Sequence, residues 1–265
     1  MPKWLDEKGA ESDVAVSARA RLARNFAGMP FPARLDEASA AALLDKAHAA
    51  LPEMRCAKMA DLPDLEREAL TERRLISIAL AHNVRHGALL FADDESRSVL
   101  VNEEDHLRIQ CLLPGLATEE ALRGALETNE RIEKENAFAF DEKLGYLTCC
   151  PTNVGTGLRC SVMLHLPALA MTGQLMPMIQ AAGKMGLAVR GVYGEGSDAQ
   201  GAMLQISNRM TLGASEEEIT RGLTGVVRQI IARERGVRTL LRTVRRTEIE
   251  DRVWRAYALL SSARR

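Results

Sequence analysis

The residues of this chain best placed to do chemistry form one run, Asn102-Glu103-Glu104-Asp105-His106-Leu107-Arg108. Three carboxylates, an imidazole and a guanidinium sit there between two apolar segments, 98–101 and 109–113, that read as buried strands. Taken alone, such a run also fits a plain acidic turn between strands. Other stretches weigh against that. Arg19 and Arg21 are two apart, so on an extended backbone both guanidinium groups point to one face and can grip one anion; a solvated basic strand is the competing reading. Cys150-Pro151-Thr152-Asn153-Val154-Gly155-Thr156-Gly157-Leu158-Arg159 places a thiol and an arginine around a glycine-bearing loop. The loop has no Gly-Lys-Ser/Thr, and Gly155-x-Gly157 lacks the third glycine of a dinucleotide fingerprint. Phosphate bound here would rest on arginines and backbone N–H groups. Arg190-Gly191-Val192-Tyr193-Gly194-Glu195-Gly196 is a glycine-rich turn with one base and one acid.

Together these stretches supply five arginines (Arg19, Arg21, Arg108, Arg159, Arg190), two acids (Glu104, Glu195) and one thiol (Cys150). Arginine suits planar, bidentate recognition of phosphate. Several converging arginines without a P-loop lysine suggest a polyphosphate clamp. Phosphoryl transfer needs in-line positioning and charge stabilisation more than covalent help. Two carboxylates could then hold a cationic nucleophile, and one could take its proton.

The elements that must position these groups follow from the rest of the chain. Its 265 residues suffice for one large or two small domains, and a net charge of −1 excludes a global basic field for nucleic acid. Positive charge is local instead, at Arg19, Arg21 and Arg24 and at Arg242, Arg245 and Arg246. Five cysteines without a CxxC argue for a reducing cytoplasm, and no apolar run is long enough to span a membrane. Residues 1–13 read as polar and loose, and 13–17 as an edge strand running into 18–25. Helices are expected over 36–51 with Asp36 or Ser39 as cap, 65–80, 118–136, 161–171, 174–185, from Ser215 with Glu218 completing a capping box, and 248–260. Strands are expected over 88–92, 99–101, 145–149, 187–189 and 201–207. Met171, Met176, Met178 and Met185 read as core filler. Short adjacent strands without a βαβ rhythm indicate an α+β fold, an antiparallel sheet flanked by helices.

Ser17-Ala18-Arg19-Ala20-Arg21-Leu22-Ala23-Arg24-Asn25, the Asn102–Arg108 run, the Cys150–Arg159 loop, residues 190–196 and Glu248 with Asp251 carry a resemblance over nearly the whole chain. It resembles the guanidino (phosphagen) kinases, whose catalytic domain is glutamine synthetase-like, and within them the bacterial protein-arginine kinase (McsB) family. The resemblance implies a single catalytic domain over 1–265, without the helical N-terminal domain of small-molecule guanidino kinases and without the C-terminal phosphoarginine-binding domain. It implies ATP as phosphoryl donor, with Mg²⁺ held mainly by the nucleotide phosphates.

Residue by residue, the resemblance makes Glu104 the base that orients the guanidinium, Glu195 its partner on a loop, and Cys150 the nearby thiol. Arg19, Arg21, Arg108, Arg159 and Arg190 would clamp the phosphates. Ser17, Ala18, Ala20, Cys160, Ser161, Val162, Gly191, Val192, Tyr193 and Gly194 would complete the nucleotide site. His82 would lie against adenine. Met163 stands where related kinases have another adenine-contacting histidine, which implies more apolar packing there. The implied substrates are cytoplasmic proteins with exposed arginine, marked in stress response and degradation; an activator protein and a homodimer are compatible with the pattern, nucleic acid and membrane are not. Two other functions fit the residues less well, a kinase for free arginine or another guanidine, and a silent nucleotide-binding regulator.

Overall fold

The computed structural model describes residues 2–191 and 200–262. Strands β1 (Ala15–Arg24), β2 (Arg55–Lys58), β3 (Ala88–Phe91), β4 (Arg97–Val101), β5 (Leu107–Pro114), β8 (Leu158–His165), β9 (Leu187–Gly191) and β10 (Met203–Asn208) form one sheet, in the order β2-β3-β4-β5-β1-β8-β10-β9. Every neighbouring pair runs antiparallel. Two short strands, β6 (Phe140–Asp141) and β7 (Gly145–Tyr146), make a separate hairpin. The helices are α1 (Lys3–Asp6), α2 (Glu37–Ala50), α3 (Asp64–Glu72), α4 (Ile78–His82), α5 (Thr118–Glu133), α6 (Pro167–Met171), α7 (Leu175–Lys184), α8 (Glu216–Val244) and α9 (Arg246–Ser262). This is the α+β arrangement expected from the sequence.

Period-two alternation divides the sheet into two chemically different faces. Ala18, Ala20 and Leu22 of β1, Cys160, Val162 and Leu164 of β8, and Leu204 and Ile206 of β10 pack into the main core with residues of α2, α5, α6 and α8. The opposite face carries Ser17, Arg19, Arg21, Arg159, Ser161, Met163, Arg190 and Gln205. A smaller apolar cluster, Met59, Leu70, Leu75, Ile76, Leu80, Leu89, Phe91 and Leu100, seats α3 and α4 on that side.

Local capping signals hold as expected. The Asp36 side chain accepts the Ser39 N–H at 2.7 Å, and Ser215 and Glu218 form the reciprocal capping box. Glu234 of α8 is fully buried and accepts from the Ala168 and Leu169 N–H groups at 3.0 Å each, which satisfies the start of α6.

Several expectations need correction. Residues 1–13 are not simply loose: α1 buries Trp4, whose indole donates to the Arg73 carbonyl at 3.3 Å. β1 is not at an edge but lies between β5 and β8 in the middle of the sheet. The helix expected over 65–80 breaks into α3 and α4, because Arg74 takes a left-handed backbone, φ +63°. Residues 158–165 are strand, and helix begins only at Pro167. A short buried strand and a buried helix segment share an apolar composition, and β8 gains its ladder from β1 and β10, both far away in sequence. Residues 145–149 yield a strand of two residues. Met176 and Met185 are exposed rather than core filler, while Met171 and Met178 pack against the core. Arg24 does not join Arg19 and Arg21. It faces the core, donates to Asn129 Oδ1 at 2.7 Å and to the Thr156 carbonyl at 2.9 Å, and lies 3.4 Å from the Tyr146 ring centroid.

Candidate active site

The acidic run forms the turn between β4 and β5. Asn102 opens it in the left-handed region, φ +57°, and its N–H donates to the His106 carbonyl at 2.9 Å. Asp105 and His106 point inward. Asp105 Oδ1 accepts from Asn25 Nδ2 and from the Cys149 N–H, both at 2.7 Å. Burial pushes the His106 imidazole down, towards the neutral form. Its Nδ1 accepts the Phe26 N–H at 3.0 Å and its Nε2 donates to the Pro30 carbonyl at 2.7 Å. These two residues tie the turn to the end of β1 and to the segment just before Cys150.

Glu103 and Glu104 both meet Arg108, in different surroundings. The Glu103 side chain is 3 % exposed; it pairs with Arg108 and accepts from Ser77 Oγ, the cap of α4. The Glu104 side chain is 45 % exposed, with Oε2 3.0 Å from Arg108 Nη2. Desolvation and two partners fix the buried acid, whereas the exposed acid can exchange Arg108 for an incoming cation at small cost.

Two cavities meet on this face of the sheet. One, of about 420 Å³, brings together Glu104, Cys150, Arg21, Arg108, Arg159 and Arg190. The other, of about 580 Å³, holds Arg19, Arg74, Gln205 and the first turn of α4, and shares Arg21 and Arg190 with the first. Arg21 and Arg159 are direct cross-strand partners in the β1–β8 ladder. Like charges so paired are unfavourable. Burial first, and then Arg74, Arg108 and Arg159, lower Arg19 to about 10. Burial, followed by Arg19, Arg108 and Arg159, pushes Arg21 down as well. A polyanion bound across the two cavities would relieve both effects.

The structure places the remaining expected residues unevenly. Ser17, Ser161 and Met163 line a narrow cleft with Arg19 and Arg74. Ala18, Ala20, Cys160 and Val162 lie in the core on the opposite face, so their side chains do not line either cavity. Gly191 is buried at the end of β9. His82 is exposed at the end of α4 and lines neither cavity. Val192, Tyr193, Gly194 and Glu195 lie outside the described residues.

The residue that sequence reasoning missed is Arg74. Gln110 Nε2 donates to its carbonyl at 3.0 Å, and its Nη2 lies 3.3 Å from Met163 Sδ. Its guanidinium sits 5.4 Å from the Trp4 ring centroid. Nothing in the local sequence separates it from Arg73; only the break between α3 and α4 turns it into the cavity.

The glycine loop does not act as a phosphate cradle. The Gly155 N–H donates to the Tyr146 carbonyl at 3.3 Å and the Thr156 N–H to the Thr211 carbonyl at 2.8 Å. A Cβ on Gly155, at φ +109°, would lie 2.3 Å from the Thr211 oxygen, and one on Gly157 would lie 2.7 Å from the Ala23 oxygen. These glycines permit close packing, which holds Cys150 and Arg159 in place. Cys150 Sγ lies 3.0 Å from Thr152 Oγ1. Burial, then Asp105, pushes the neighbouring Cys149 thiol up to about 12, and burial does the same to Cys160. Iodoacetamide at about pH 8 should therefore label Cys150 well ahead of Cys149 and Cys160, with turnover lost in step with that label. Full turnover after stoichiometric labelling would reduce Cys150 to a packing residue; peptide mass mapping reads both.

Residues 36–237 match the family model described as ATP:guanido phosphotransferase, C-terminal catalytic domain. The protein-arginine kinase of Moorella thermoacetica is 46 % identical over 271 residues, covering 99 % of this chain and 77 % of that protein. The protein-arginine kinase of Halalkalibacterium halodurans is 48 % identical over 270 residues, covering 98 % of this chain and 75 % of that one. Among solved structures, the duplicated taurocyamine kinase of Schistosoma mansoni with bound transition state analog components matches with TM-score 0.76 and 25 % identity. That match covers 89 % of this chain, which spans 36 % of the duplicated protein. A lombricine kinase structure shares the fold at TM-score 0.74 and 22 % identity, over 88 % of this chain and 69 % of that one. With that fold, the two joined arginine-lined cavities and this extent of identity, the chain belongs to the ATP:guanido phosphotransferase family and, within it, to the protein-arginine kinases.

Proposed function

We propose that this chain transfers the γ-phosphoryl group of ATP to arginine side chains of proteins. The observation that carries this reading is the joining of the two cavities through Arg21 and Arg190, with Glu104 in one and Arg19 in the other. ATP would lie in the larger cavity, with its base towards Arg74 and α4 and its phosphates across Arg19, Arg21, Arg108, Arg159 and Arg190. A guanidinium would enter beside Glu104 and Cys150. Its terminal nitrogen attacks Pγ as the bond from Pγ to the bridging oxygen breaks; ADP leaves, and Glu104 receives the proton lost by the nitrogen. Mg²⁺ would arrive on the nucleotide phosphates, the way that ion is usually held in kinase sites; among the described residues no three His, Cys, Asp or Glu side chains converge as a metal site. Among those residues, too, no helix is long and apolar enough to cross a membrane.

The Glu104 cavity grips the guanidinium and leaves room for the rest of the substrate. Protein arginine should accordingly be phosphorylated with higher kcat/KM than free arginine at equal guanidine concentration. Lysine should be untouched, because an ammonium cannot make the two-toothed match to a carboxylate. Phosphosite mapping under conditions that preserve the acid-labile P–N bond, alongside ADP release with free L-arginine, checks this. Faster turnover of the free amino acid would instead make the protein a small-guanidine kinase.

A further inference from the structure

Beyond the loop 150–157 lies a second, shallower depression that the chemistry above does not use. Asn153 and Gly157 face the Glu104 cavity, while Gly155 and Thr156 face this depression of about 250 Å³. One loop is therefore the wall between them. The far side is formed by the β6–β7 hairpin and the segment 211–216, with Phe140, Leu144 and Leu212 on its surface. These residues are 58 %, 47 % and 48 % exposed. Three large apolar groups gathered at one depression are unusual on a polar surface, and such a patch marks a docking site more often than a single exposed leucine does.

The hairpin is held as a fixed shape. Phe140 and Phe138 both pack edge-on against Tyr146, at 5.2 Å and 6.2 Å. Arg24, three residues beyond Arg21 on β1, braces the Tyr146 ring from below at 3.4 Å. The same strand thus positions the phosphate-facing arginine and the apolar hairpin. Asp141 Oδ1 accepts the Lys143 and Leu144 N–H groups at 2.8 Å and 2.9 Å, which sets the turn that presents Leu144.

Charge around the patch selects the kind of partner. Lys143 and Glu216 line the depression, and Asp141 and Glu142 on the hairpin and Glu217 in the first turn of α8 adjoin them in sequence, so carboxylates outnumber the lining cation. An apolar centre with an anionic rim fits a basic chain segment that carries a large apolar residue, and repels an acidic one.

We propose that this depression is the docking site for the substrate polypeptide, seating an apolar side chain close in sequence to the arginine being phosphorylated. This rests on the reading of the adjoining cavity as the arginine site. It turns an enzyme that would accept arginine in any context into one with a preference for apolar and basic neighbours over acidic ones.

The test uses peptides with one central arginine, flanked by glycine and serine, into which leucine is placed in turn at each nearby position. At least one placement should raise kcat/KM about tenfold, the gain expected from partly burying one leucine. The double variant L144S/L212S should abolish that gain while leaving the glycine-flanked peptide and the ATP KM unchanged. Both substituted residues are exposed, and an unchanged melting temperature confirms the fold. Absence of any positional preference, or a preference that survives in the double variant, overturns the docking site while protein-arginine phosphorylation stands. Turnover of free arginine with no phosphoarginine in any peptide or protein overturns both readings.

Discussion

Glu104→Gln is expected to lower kcat by roughly 10²–10⁴-fold while nucleotide affinity changes little. A guanidinium has a pKa of about 12.5–13.8, so freeing its lone pair at neutral pH before attack would cost about 8–9 kcal/mol. A carboxylate that takes the proton as the P–N bond forms avoids much of that cost. Glutamine keeps the shape and a hydrogen-bonding oxygen but cannot accept the proton. The structure also says which of the two adjacent acids is replaceable in which way. Glu103 is 3 % exposed and spent on Arg108 and Ser77, whereas Glu104 is 45 % exposed and faces the cavity with Cys150. Glu103→Gln should loosen Arg108 and raise the ATP KM, a different signature. Steady-state kinetics with a protein substrate, alongside nucleotide titration, separates the two; near-normal kcat in the Glu104 variant removes that residue from proton transfer.

Arg159→Ala should produce the next largest effect, a fall in kcat of roughly 10²–10³-fold with a smaller change in ATP binding. Arg159 lies on β8 directly opposite Arg21 and lines the Glu104 cavity, where the moving phosphoryl group would sit. Charge on that group is redistributed most in the transition state, so a fixed cation there is worth more at that point than with ATP at rest. Arg19 is the useful contrast. It lines the other cavity and, through Nη2, reaches Gln205 Oε1 at 3.5 Å, so Arg19→Ala should act more on the ATP KM. If Arg159→Ala raised KM and left kcat intact, Arg159 would be a simple binding group.

Much of this protein was legible locally. The acidic run between two apolar strands, the Asp36 cap, the Ser215–Glu218 capping box and the same-face placement of Arg19 and Arg21 each depend on residues a few positions apart. Backbone period and capping chemistry act at that range, so residue order alone determines them. The α+β class follows from the same short-range signals.

Other features depended on partners distant in the chain. Residues 158–165 are apolar enough for either a helix or a strand, and pairing with β1 and β10 decided for strand. Arg24, three residues on from Arg21, falls on the core face of β1, and Asn129, Tyr146 and Thr156, all distant in the chain, satisfy it there. Arg74 sits in what reads as one helix, and reaches the cavity lined by Arg19 because Gln110 holds its carbonyl at a left-handed break. His82 shows the converse, a plausible ring in the sequence left on the surface by the short α4. Residue type and spacing thus determined which chemistry this chain carries. Which side chains meet was decided by burial and long-range pairing, because the free energy of a buried strand or a satisfied arginine resides in neighbours more than a hundred residues away.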